Sequence, residues 1–150
     1  MAFRPAVTAR KTQTSKEITA ATYQITRRDH GKTLMLNRAA GMTLTLPPDT
    51  VFVGFTVKMV VRDTFTGTWE VTGAADGDLF FGGAFLSAHT AKSDWFGPNG
   101  SSHDTLKAAA DNRGRLSGGW VEFTCMGPNE WLVNGILAAG GTPASPFADT

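Results

Sequence analysis

The chain has one cysteine, Cys125, one tyrosine and three histidines among 150 residues. A lone thiol excludes a disulfide framework within one chain and a cysteine-rich zinc site. No apolar run approaches the ~20 residues of a membrane span, and no charged-then-apolar start reads as a signal peptide. Charge of one sign is missing too: 14 Lys and Arg face 13 Asp and Glu, a formal net charge of +1. That balance excludes a strongly basic nucleic-acid binder and an acidic disordered chain. Neither a direct nucleic-acid partner nor a membrane is expected, and the default compartment is the cytosol or a particle assembled there. Helical periodicity is absent beyond a turn or two, and no repeat of roughly 20 to 50 residues is visible.

What the chain has in quantity is turn chemistry. Seventeen Gly and seven Pro, set among 41% hydrophobic and 10% aromatic residues, favour an all-β domain. The expected fold is an antiparallel sandwich, jelly roll or squashed barrel of eight or so short strands with an extended N-terminal arm. The arm is 1–17, the β domain 18–137, and a Gly- and Pro-rich tail 138–150. The first sixteen residues hold Arg4, Arg10, Lys11 and Lys16 and no acid, leaving ten basic against thirteen acidic groups in the rest. Such a start reads either as a frayed terminus or as a segment that orders on a partner with an acidic surface.

Within the body, 18–25 reads as a first strand, and Leu34 and Leu36 share one face of a second. Met42, Leu44 and Leu46 alternate with Thr43 and Thr45 before Pro47 and Pro48 end the pairing. Residues 53–62 and 68–72 read as one antiparallel hairpin, with Phe55, Val57, Met59 and Val61 on one face and Thr56, Lys58, Val60 and Arg62 on the other. Gly82 and Gly83 suggest a bulge or bend in 79–86. Residues 92–102 read as a loop, 104–110 as a short strand or one helical turn, and 111–119 as turns. Residues 120–126 and 131–136 form a second hairpin around Gly127-Pro128-Asn129-Glu130. Phe147 is the one anchor in the tail.

Catalytic and metal chemistry find no frame in this pattern. His30, His89 and His103 have no ligand spacing, and Asp76-Gly77-Asp78 lacks the further acids of a calcium loop. Cys125 lies on an apolar strand face with nothing basic beside it. Arg113 and Arg115 flank Gly114 in a solvated turn. Pairs such as Asp76 and Asp78, or Asp94 and Asp104, sit in no recognisable catalytic arrangement. No catalytic residue, metal or cofactor is therefore expected. Among the tryptophans, Trp69 and Trp131 share faces with valines and read as core. Trp95 and Trp120, with Phe147, are the candidate interface or ligand aromatics.

The string Gly31 to Pro47, GKTLMLNRAAGMTLTLP, resembles a pattern in tailed-bacteriophage particle proteins, through Leu36-Asn37, Ala39, Gly41, Thr43 and Thr45-Leu46-Pro47. Gly54 to Val61 continues that pattern. Asn129-Glu130-Trp131-Leu132-Val133-Asn134-Gly135 is similar to the Trp-x-Val-x-Gly strand that closes such domains. The span 80–117 carries no such likeness. The resemblance points to head decoration, or cement, proteins. It implies a β-rich homotrimer on the outer surface of the virion capsid, made in the host cytoplasm, whose partner is the major capsid protein. Arg4, Arg10, Lys11 and Lys16 would form the capsid-binding arm. The alternative is a tail-fibre or other appendage domain that binds a host receptor or glycan through Trp95 and Trp120, with Asn99 and His103 nearby.

Overall fold

The computed structural model describes residues 14–48, 52–75 and 77–149. Among the described residues twelve strands are joined by turns and two single-turn 3-10 helices, Arg27–Asp29 and Asp111–Arg113. They are β1 (Ser15–Ile18), β2 (Thr22–Gln24), β3 (Thr33–Leu36), β4 (Met42–Thr45), β5 (Thr56–Val61), β6 (Trp69–Thr72), β7 (Leu79–Ala88), β8 (Asp94–Phe96), β9 (Thr105–Ala108), β10 (Leu116–Gly127), β11 (Glu130–Ala139) and β12 (Phe147–Ala148). One sheet has seven strands in the order β1-β3-β5-β10-β11-β7-β8, the other five in the order β12-β9-β6-β4-β2. Their inner faces share one core, from Leu34, Met59, Phe123 and Val133 on the larger sheet to Leu44, Trp69, Val71 and Leu106 on the smaller. The protein is an all-β sandwich.

The sheets are mixed, not antiparallel throughout. The first six strands are dealt alternately to the two sheets, so that β1, β3 and β5 lie parallel in one and β2, β4 and β6 parallel in the other. Three turns of a flattened coil result. The cause lies in the connections. The span expected as one strand, 18–25, breaks at Thr19–Ala21, and the chain crosses from one sheet to the other there. Residues 37–41 and 62–68 cross in the same way. The second crossing carries Phe65, which is buried and packs its ring 6.2 Å from that of Trp69. The apolar plug holds β6 under β5, not beside it, so the hairpin expected of 53–62 and 68–72 does not form. At the first crossing Gly41 has φ of +108°, and a Cβ there would lie 2.7 Å from the Thr68 carbonyl oxygen.

The second expected hairpin is present. β10 pairs antiparallel with β11, with Val121, Phe123 and Cys125 inward. Asn129 completes its tight turn at a φ of +57°. The strand β10 starts earlier than the turn-rich sequence suggested, at Leu116, and its register slips before Trp120. The strand β7 carries no bulge: its parallel register with β11 is continuous from Leu79 to Ala88. Residues 92–102 contain a strand, β8, and 104–110 contain β9. The tail is tied down by β12, where Phe147 pairs with Leu106.

Candidate interaction surface

The two outer faces of the sandwich are finished differently. On the five-stranded sheet, Thr22, Thr43, Glu70 and Lys107 stand in register across four strands. Thr43 Oγ1 donates to Glu70 Oε1 at 3.1 Å, and Lys107 Nζ lies 3.6 Å from Glu70 Oε2. That face is polar and satisfies its own groups.

The seven-stranded sheet carries an apolar row instead. Pairing aligns Met35 of β3, Val60 of β5, Trp120 of β10, Ile136 of β11, Phe85 of β7 and Trp95 of β8, with Glu17 of β1 at the end. Burial alternates around Met35, Val60, Trp120, Ile136 and Phe85 and places them on the outer face, and pairing with Phe85 puts Trp95 there too. Trp95 is 52%, Ile136 45% and Phe85 37% exposed. Met35, Val60 and Trp120 are half-buried. Leu132, 38% exposed and aligned with Phe81, stands two rows along the same face, beyond the row of Asn134, Glu122 and Lys58. Lys58 and Glu122 are cross-strand neighbours beside the row, and Lys58 Nζ lies 4.8 Å from the centre of the Trp120 ring.

Backbone geometry fixes Trp95. The strand β7 has glycine, Gly83, beneath the Trp95 ring. A Cβ on Gly83 would meet the indole ring at 2.6 Å, so the ring lies flat on bare backbone. Gly82 has φ of +85°, and a Cβ there would collide with the Val133 carbonyl. The aromatic rests on Gly83 and is 52% exposed.

The remaining candidates are distributed elsewhere. Phe147 is buried in the core, where its pairing with β9 seats it, and so is not an interface aromatic. Arg4, Arg10 and Lys11 lie outside the described residues, as does Asp76. Lys16 is in β1, where its Nζ donates to the Tyr23 hydroxyl at 2.8 Å, and that hydroxyl donates to Asp29 Oδ2 at 3.0 Å. Its protonated form is favoured above all by the Tyr23 hydrogen bond, which raises its pKa; burial raises that of Tyr23. Asn99 and His103 are spent on their own loop. Asn99 Oδ1 accepts from the backbone N–H groups of Ser101, Ser102 and His103, and His103 Nδ1 accepts from that of Asn99. Asp78 is buried and accepts from the Ala74 backbone N–H at 2.7 Å, closing a turn. Arg115 Nε lies 2.7 Å from Asp111 Oδ1. Among the described residues no three His, Cys, Asp or Glu side chains cluster as a metal site, and no helix is long and apolar enough to cross a membrane. An open depression of about 550 Å³ lies against Gln24, Arg27, Pro47 and Pro48, away from the apolar row.

Trp95 and Trp120 are the two sequence candidates that the fold brings onto one surface. Met35, Val60, Phe85 and Ile136 were missed. Their signal was present as apolar residues on the face of each strand that otherwise reads as polar. No protein-family model matches the chain, and no curated protein matches it.

Proposed function

We propose that the protein is a non-enzymatic structural protein of a tailed-phage virion. It is a decoration, or cement, protein on the outer face of the head, binding as a homotrimer and tying neighbouring major capsid subunits together. The resemblance in 31–47 and 129–135 supplies the class. The observation that carries the capsid role is the junction at β1. Among the described residues this strand is an edge of the larger sheet, and the basic segment with Arg4, Arg10 and Lys11 precedes it directly in sequence. A sheet edge offers unpaired backbone groups, and a basic segment joined to it in sequence selects an acidic partner. The test is a chain lacking residues 1–13, which keeps β1 whole. It is expected to fold and keep its solution mass but to lose binding to expanded heads. Decoration at full occupancy by this truncated chain would sink the reading.

A second reading, a glycan-binding appendage domain, is favoured by Trp95, whose flat and 52% exposed ring suits stacking on a sugar. Saturable glycan binding that disappears in Trp95→Ala would select it.

A further inference from the structure

The outer face of the seven-stranded sheet is unfinished as a water-facing surface. Six apolar side chains in register cross six strands, three of them more than a third exposed. A monomeric protein seldom exposes a contiguous apolar patch of more than a few hundred Å². Seven strands at ~4.8 Å spacing and the seven residues of β11 from Leu132 to Ala138 give a face of about 29 Å by 20 Å. That is roughly 600 Å² before side-chain relief, between the ~500 Å² that a specific interface needs from each partner and the ~800 Å² of a standard one.

We propose that this face is where copies of this chain meet one another, with Trp120, Ile136 and Phe85 at the centre of the contact. The inference deepens the assembly part of the decoration reading and rests on that reading only there. Two observations select a second copy over a foreign partner. The area matches what a stable pair of chains requires. The charge beside the row is balanced: Lys58 on β5 stands directly across from Glu122 on β10. A face of one sign would select an opposite partner. A face with one cation next to one anion complements its own copy, so that Lys58 of one chain meets Glu122 of the next. The aromatic content, two Trp and one Phe, is that of an interface centre. The polar face of the smaller sheet has none of these features and is left to solvent.

The experiment is light scattering on the full chain up to ~100 µM, a range that detects weak self-association. The wild type is expected to have a mass of two or three 16.0 kDa chains. Ile136→Lys, on an exposed position, is expected to run as a monomer with association weakened about 100-fold or more. Phe85→Gln, a milder change, should weaken it about 10-fold, and Thr43→Lys on the polar face should leave the mass unchanged. Circular dichroism identifies any variant that has not folded, and the second variant then decides. A wild type that stays monomeric, or folded Ile136→Lys and Phe85→Gln chains that keep the wild-type mass, would overturn the proposal. A monomeric wild type that associates only after removal of residues 1–13 would also overturn it, naming the chain's own first residues as the cover. Solution mass is read without any phage head. Association that depends on Ile136 in a protein that decorates no head therefore retains this inference and removes the decoration reading.

Discussion

The Lys16–Tyr23–Asp29 chain shows how one buried carboxylate organises the start of the domain. Asp29 is almost fully buried. It accepts from the Tyr23 hydroxyl and from the Thr26 backbone N–H at 3.0 Å each, and lies 3.5 Å from Lys32 Nζ. Its bond to Thr26 completes a reciprocal cap of the single helical turn Arg27–Asp29. Tyr23 in turn sits between this carboxylate and the Lys16 ammonium, which lies 4.4 Å from the ring centre. The Tyr23 pKa is raised from its ordinary 10.0, chiefly by burial, and the Lys16 pKa from its ordinary 10.5, chiefly by the Tyr23 bond. Both groups therefore prefer to be protonated in the folded chain. Their contribution to stability is complete below the ordinary values and lost as pH rises through the raised ones. Denaturant midpoints should fall as pH is taken above 10.5. Tyr23→Phe should flatten that fall, because it removes the phenol and the acceptor of Lys16 together. An unchanged slope in the variant would show that the pair does not couple to folding.

At the scale of the element, β7 is the clearest case of sequence dictated by close approach. It lies parallel to β11 on one side and antiparallel to β8 on the other, and has two consecutive glycines in its middle. Gly82→Ala would force a left-handed φ on an L residue and drive its Cβ into the Val133 carbonyl, at an expected cost of about 2–4 kcal/mol. Gly31→Ala has the same backbone problem, at φ of +71°, with nothing within 4 Å, and should cost only about 1–2 kcal/mol. Urea titration of the two variants measures the difference, and equal losses would refute the collision.

The same strand shows what the sequence made legible. Gly82-Gly83 marked a special backbone, but whether it bends or is approached depends on strands fifty residues away. Periodicity told which residues face the core: Val57, Met59, Val121, Phe123 and Val133 all do. It did not tell which strands are partners. The tight Pro128-Asn129 turn left β10 and β11 no choice but each other. The seven residues after β5 left room either to return along the same sheet or to cross, and the burial of Phe65 decided for crossing. The apolar row was hidden for the same reason. Its members are single residues on six strands, and only the pairing register brings them into line. The motif at 31–47 marks fold more directly than function, since Leu36, Gly41, Leu44 and Leu46 serve the core and the first crossing.

For the whole molecule, the two proposed contacts are not independent. The self-contact covers the outer face of the larger sheet, whereas the basic segment leaves from an edge of that sheet at β1. Each copy in an assembly thus brings one such segment to the head. A chain bound through one segment holds the others near their sites, so the later contacts form at a high effective concentration. Avidity of this kind gains about 10²–10⁴ in apparent affinity without any new contact. Ile136→Lys keeps every residue of 1–17 and should keep each single contact with the capsid. It should nevertheless raise the half-saturation concentration on expanded heads by about 10²–10⁴. The gain requires that several segments engage at once. Joining two Ile136→Lys chains by a flexible linker should therefore recover part of the loss, although the sheet face remains broken. Titration of labelled protein onto purified heads reads both effects. If the unlinked variant half-saturates heads at the wild-type concentration, each copy binds alone and assembly has no part in holding the shell.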